Sequence, residues 1–171
     1  LILVALGANL PFEGQTPAQT LARCIPALSR ADVHVTARSR LWATAPVPYD
    51  PAQPDYMNAV VAVDTPQDPA SLMNTLLSVE RKFGRVRTVA NAARTLDLDI
   101  LAFHDVVLNE NDLILPHPRL EGRAFVLKPL MDIAPDWKHP VTGRMAAAMM
   151  AALPDTGDAR PVEAWPDDND L

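Results

Sequence analysis

The stretch Thr95-Leu96-Asp97-Leu98-Asp99-Ile100-Leu101-Ala102-Phe103 constrains this chain more than any other. Polar and apolar residues alternate in its first half, which is the period of a β-strand. Asp97 and Asp99 therefore share one face, while Leu96, Leu98 and Ile100 share the other. A strand with an apolar face needs a sheet and a layer that covers it. Two carboxylates one pleat apart repel each other, and a fold keeps such a pair where a cation compensates. Magnesium, a hard cation, takes one or two carboxylates together with substrate phosphates. A solvated, half-exposed acidic face is the other reading. Arg85, Arg87 and Arg94 precede the acids in a basic segment without a core pattern. Cations beside a di-acid strand suit a metal–polyphosphate site, although the same arginines also suit a solvated loop.

The rest of the chain supplies partners for that strand. Residues 1–6 form an apolar run closed by Gly7-Ala8-Asn9. The run has no basic leader and is too short for a signal peptide, so it reads as a buried first strand. Thr16 and Pro17 open a helix with Leu21, Ile25 and Leu28 on one face, and Pro26 is expected to break or kink it. Residues 33–43 and 55–65 read as strands, separated by a proline-rich loop over 45–54. Asp68-Pro69 opens a second helix with the stripe Leu72, Leu76, Val79 and Phe83, ended by Gly84. Residues 106–108 and 113–115 pair as a small hairpin. Residues 123–133 look helical until Pro129, and 143–153 look helical as well. The order β-α-β-β-α-β predicts an α+β fold: a ferredoxin-like, antiparallel-containing sheet covered by helices on one face, plus extra C-terminal elements. A single domain is expected over 1–153, with 154–171 an acidic, flexible tail.

Composition narrows the function. The 171 residues suit one domain, and the lone cysteine, Cys24, excludes a disulfide framework or a cysteine zinc site. No apolar run reaches the ~18–20 residues of a membrane span. The net charge of −6 argues against broad nucleic-acid binding. A reducing, cytoplasmic setting is expected. No Walker-type glycine loop is present, so side chains and metal must hold any triphosphate.

Three further segments carry candidate chemistry. Two prolines stiffen the backbone around His117 in Leu115-Pro116-His117-Pro118-Arg119, and a fixed histidine either binds phosphate or simply fills a turn. In Gln53-Pro54-Asp55-Tyr56-Met57-Asn58-Ala59, Tyr56 and Asn58 share a strand face. The Asn58 amide offers donors and an acceptor to a heterocycle edge, or to neighbouring backbone. Arg123-Ala124-Phe125 places a cation beside a ring, which in isolation reads as core.

Taken together, these segments resemble the 6-hydroxymethyl-7,8-dihydropterin pyrophosphokinase family. The matching pieces include Leu6-Gly7-Ala8-Asn9-Leu10, Ser39-Arg40-Leu41-Trp42-Ala43-Thr44, Phe83-Gly84-Arg85-Val86-Arg87, Arg94-Thr95-Leu96-Asp97-Leu98-Asp99-Ile100, Pro116-His117-Pro118-Arg119 and Arg123-Ala124-Phe125-Val126-Leu127-Lys128-Pro129-Leu130. The resemblance implies transfer of the β,γ-pyrophosphoryl unit of ATP to the pterin hydroxymethyl oxygen, a step of folate biosynthesis, with AMP and the pterin diphosphate as products. It implies that Asp97 and Asp99 hold two magnesium ions, and that Arg85 and Arg94 act in catalysis and steady the phosphates. Glu80, Arg87, Ile100, His117 and Arg123 would complete the ATP side. Thr44, Pro46, Val47, Tyr56, Asn58 and Phe125 would form the pterin side. The expected partners are ATP and the pterin, not nucleic acid or membrane, and the expected state is a monomer. The chain departs from the family pattern at Ala90-Asn91-Ala92-Ala93, where a basic residue, an aromatic and Gly-Pro are usual. That departure implies looser loop closure.

Other readings explain fewer residues. A nucleotide-sensing module would not need both aspartates. A different metal-dependent transferase leaves Asn58 and Phe125 without a role. An RNA-binding module conflicts with the acidic charge and lacks exposed aromatic triplets.

Overall fold

The computed structural model describes residues 1–87, 89–110, 112–162 and 164–167. The strands are β1 (Ile2–Ala8), β2 (His34–Arg38), β3 (Trp42–Thr44), β4 (Tyr56–Asp64), β5 (Asp97–Phe103), β6 (Leu108–Glu110), β7 (Leu113–Leu115) and β8 (Arg160–Pro161). The helices are α1 (Pro17–Ser29), α2 (Pro69–Lys82), α3 (Ala124–Ile133) and α4 (Ala146–Ala151).

Among the described residues, one sheet runs β5-β1-β4-β3-β8, and β2 pairs with the other half of β4. Each of these pairings is antiparallel. β6 and β7 form a separate hairpin. The architecture is thus an antiparallel sheet with helices, the α+β class read from the sequence.

Local chemistry explains the helix starts. Thr16 and Gln19 form a reciprocal capping box ahead of Pro17, and Asp68 accepts from the Ser71 N–H ahead of Pro69. Gly84 ends α2 at a positive φ of 76°. Neither internal proline ends its helix. α1 runs through Pro26 to Ser29, and α3 runs through Pro129 to Ile133. In both cases burial on the far side of the proline offsets the lost hydrogen bond, since Leu28 and Leu130 are fully buried.

Residues 33–43, expected as one strand, form two. The Ser39 hydroxyl accepts the Val60 N–H, and the Arg40 N–H turns to the Asp132 carboxylate instead of the ladder. The break separates β2 from β3 and lets β3 meet the lower half of β4.

The sheet is covered on both faces, where one covered face was expected. On one face Val4, Leu6, Leu98 and Ile100 pack with Leu21, Leu28, Leu72 and Leu76 of α1 and α2. On the other, Leu3, Val60 and Leu101 pack with Val126, Leu127 and Leu130 of α3 and Met149 of α4. The apolar residues of α3 need a core, and only this second face offers one. Segment 154–171, expected as a flexible tail, is tied down in part. β8 pairs with β3, the Val162 N–H donates to Leu41 O at 2.9 Å, and Trp165 Nε1 donates to Ser39 O at 2.8 Å. An unpaired edge of β3 and an indole needing both cover and an acceptor account for this. Glu163 and 168–171 lie outside the described residues.

Candidate active site

The second face of the sheet is not covered along its whole length. Beyond the start of α3 it opens into a cleft, and the strand pleat decides what points there. β1 presents Leu3, Ala5 and Gly7 to this face, so its side chains shrink toward the cleft. Gly7 pairs with Asp97 on one side and Asn58 on the other, which places acid, glycine and amide in one row across three strands. A Cβ at Gly7 would stand 3.1 Å from Asn58 Oδ1. The glycine thus keeps the cleft floor open.

Thr44, Pro46, Val47, Tyr56, Asn58, Arg94, Asp97, Asp99, His117, Arg123 and Phe125 all line this cleft. The structure therefore brings together the expected pterin-side residues, both acids, Arg94, Arg123 and the histidine. A second cleft is lined by Arg87, Leu98, Ile100 and Pro118, and it shares Asp99 and His117 with the first. Arg85 and Glu80 line neither of these clefts. Glu80 is 1% exposed. It accepts from the Leu98 N–H at 2.8 Å and pairs with Arg87 Nη2 at 2.8 Å and Arg85 Nη1 at 3.4 Å. Glu80 therefore anchors the two arginines to β5.

The two aspartates differ sharply. Asp97 is clasped from both sides, by Arg85 Nη1 at 2.6 Å and Arg94 Nη1 at 2.7 Å. Burial raises its pKa, but the two guanidinium groups outweigh burial and hold the carboxyl below its usual range. The Asp99 carboxylate has no hydrogen-bond or ion-pair partner among the described residues. Burial, then the charges of Asp97 and Glu80, push it up to about 6. The charges of Arg123 and Arg94 offset only part of that push, so the field at Asp99 stays short of positive charge. Two hard oxygen donors with that deficit suit magnesium, which fills its other positions with phosphate and water. Among the described residues no cluster of three or more His, Cys, Asp or Glu stands together. The fit to a metal therefore requires ligand oxygens as well.

His117 is fixed by its backbone. Its N–H donates to Leu101 O at 2.8 Å, and its Nδ1 accepts from the Arg119 N–H at 3.1 Å. The neutral ring then carries its proton on Nε2, a free donor. Burial first, then Arg123 and Arg119, pull its pKa down to about 4. Arg123 lies 5.4 Å over the Phe125 ring at the start of α3. Asn58 is 7% exposed, and its Nδ2 is buried without a hydrogen-bond partner. A buried amide left unpaired is costly and marks a place where ligand belongs.

Sequence reading missed Gly7, Asn9 and Gln53 as site builders. Asn9 is fully buried. Its Oδ1 accepts the Arg94 N–H at 2.8 Å, and its Nδ2 donates to Gln53 Oε1 and Pro54 O. Gln53 in turn donates to Asn91 O at 3.2 Å. Asn9 thus joins the end of β1 to the loops on both sides of the cleft. A polar residue directly after a buried strand was the available signal. In the variant segment 90–93, Asn91 lines the cleft with a φ of 59°. Thr88 lies outside the described residues.

Comparison with known proteins gives the family of the chain. The family model for 7,8-dihydro-6-hydroxymethylpterin-pyrophosphokinase (HPPK) matches residues 3–135. A relative from Pseudomonas aeruginosa, named 2-amino-4-hydroxy-6-hydroxymethyldihydropteridine pyrophosphokinase, is 38% identical over 161 residues, covering 93% of this chain and 95% of its own length. A Pneumocystis carinii protein named folic acid synthesis protein fol1 is 35% identical over 94% of this chain, which spans only 21% of that protein. Among solved structures, the Plasmodium falciparum HPPK-DHPS wild type superposes with a TM-score of 0.63 at 16% identity, over 88% of this chain and 43% of that one, a likeness of fold. The antiparallel sheet with its helices shares the fold of that solved structure, and the family model and relatives define the class as pterin pyrophosphokinases. This chain is a member of the HPPK family.

Proposed function

We propose that this chain transfers the β,γ-pyrophosphoryl unit of ATP to the hydroxymethyl oxygen of 6-hydroxymethyl-7,8-dihydropterin, the step of folate synthesis that its relatives' names describe. One observation carries the reading: a single cleft holds the unpaired Asn58 amide and, across Gly7, the Asp97–Asp99 pair. The heterocycle edge pairs with Asn58 between Tyr56 and Phe125, under the Thr44, Pro46 and Val47 wall. ATP occupies the neighbouring cleft along Arg87, Ile100 and His117. The shared Asp99 and His117 then stand between donor and acceptor.

The hydroxyl oxygen attacks the β-phosphorus, the bond from that phosphorus to the α,β-bridging oxygen breaks, and AMP leaves. The hydroxyl proton passes to solvent or to a carboxylate of the pair. Two magnesium ions on Asp97 and Asp99 would neutralise β- and γ-phosphate charge. His117 Nε2–H donates to a phosphate oxygen. An arginine that releases Asp97 has its fork free for phosphate, so Arg85 and Arg94 stabilise the charge that grows in transfer. Glu80 keeps both Arg85 and Arg87 aimed at this region.

The strand order β5-β1-β4-β2 supports a ferredoxin-like core. We read 1–153 as the catalytic domain of a monomer, with α3 and α4 as its C-terminal additions. The net charge of −6 supports small-molecule substrates over nucleic acid, and the single buried thiol suits the cytoplasm.

Product analysis with ATP, magnesium and the pterin tests the reading. Pterin-dependent AMP without free phosphate is expected. ADP would move the chain to ordinary phosphoryl transfer, and no turnover would favour a nucleotide-binding module.

A further inference from the structure

The segment from Asp158 to Arg160 lies beyond residue 135, where the match to the family model ends. It nevertheless touches β3, α3 and the residue that leads into β4. Asp158 Oδ1 accepts from Thr44 Oγ1 at 3.1 Å and from the Ala45 N–H at 3.1 Å, and its Oδ2 lies 3.3 Å from the same N–H. Arg160 Nη2 donates to Asp55 Oδ2 at 2.9 Å, one residue before Tyr56. Ala159 O accepts from Lys128 Nζ at 2.8 Å, one turn along α3 from Phe125. Arg160 Nη1 also lies 3.5 Å from Asp158 Oδ2, and β8 pairs with Trp42 and Ala43.

We propose that Asp158 is a positioning residue for the pterin subsite, and that the Asp158–Arg160 strap sets the shape of that subsite from outside it. The proposal rests on the pterin reading of the cleft. β3 ends at Thr44, so the Ala45 N–H has left the ladder and needs an acceptor. Asp158 supplies one and fixes the plane of the Thr44–Ala45 peptide. Because that peptide is trans, the Thr44 carbonyl points away from the strap, toward its ladder partner β4. The carboxylate therefore sets where Ala45, Pro46 and Val47 enter the cleft. Asp158 does not line the cleft. It acts through Thr44 and Ala45.

The test compares wild type, Asp158→Ala and Asp158→Asn in steady-state kinetics and in equilibrium pterin binding by calorimetry. Asn retains one carbonyl oxygen for the Ala45 N–H. We expect Asp158→Ala to raise the pterin KM and Kd about five- to tenfold, the effect of a lost charged hydrogen bond on an ordered wall. The ATP KM and kcat stay within about twofold, and Asp158→Asn restores most of the loss. Unchanged pterin Kd, or equal losses for ATP and pterin with a lower Tm, overturns the proposal. A wild type that binds pterin but makes no AMP overturns the proposed reaction while the Kd comparison still reads the strap. A wild type that binds no pterin overturns both.

Discussion

Asp97 and Asp99 share a face, a spacing and a chemical type, yet their surroundings set them apart. Asp97 neutralises Arg85, whose side chain is only 8% exposed, and Arg94. The Asp99 carboxylate has no bonded cation among the described residues, and the more distant Arg123 and Arg94 offset its charge only in part. Removing one of two repelling acids therefore has opposite effects on stability at the two positions. Asp97→Ala leaves a buried guanidinium short of its partner and is expected to lower stability by about 1–3 kcal/mol without ligands. Asp99→Asn removes a buried charge that is only partly compensated and is expected to raise Tm by about 2–4 °C at pH 7.5. Both variants lose transfer by about a thousandfold or more. Thermal melts beside the AMP assay check this. A fall in Tm for Asp99→Asn would refute the contrast. The sequence made the pair visible through its alternation. The clasp was not visible, because which arginine reaches Asp97 depends on how segment 85–94 folds back over β5.

Elements show the same division. The capping residues of α1 and α2 were readable because each cap bonds within a few residues of itself. The placement of α3 was not, because its partners lie far away in sequence. Asp132 at the end of α3 accepts from the Arg40 N–H, from Arg40 Nε and Nη2, and from Trp42 Nε1. That carboxylate ties the end of α3 to the break between β2 and β3. Asp132→Ala strands the part-buried Trp42 Nε1 and is expected to cost about 1–3 kcal/mol, read as a shift in the denaturation midpoint at unchanged m. Replacing Trp42 by Phe should cost less in that background than in the wild type, because the indole donor is already unpaired there. Full additivity of the two changes would show that the tether is not the cause.

At the scale of the molecule, burial of the site makes stability depend on pH. His117 titrates near 6.5 when unfolded and is pulled down to about 4 in the fold. The unfolded chain therefore binds the extra proton first. The stabilising contribution is complete above pH 6.5 and is lost as pH falls from 6.5 toward 4. His117→Asn is expected to flatten that part of the stability profile, measured by urea titrations at pH 7, 5.5 and 4.5. An unchanged slope would show that the histidine is not the group responsible. What the sequence determined alone is what short-range chemistry encodes: strand periods, helix caps, the acidic face of β5 and the motifs of its family. Only the tertiary structure decided the rest: that the sheet is covered on both faces, that Gly7 brings Asn58 level with Asp97, that Asn9 ties two loops together, and that the Asp158–Arg160 strap closes the edge of β3. Those contacts join residues distant along the chain. Their free energy exists only once the layers have packed, so local pattern carries no trace of them.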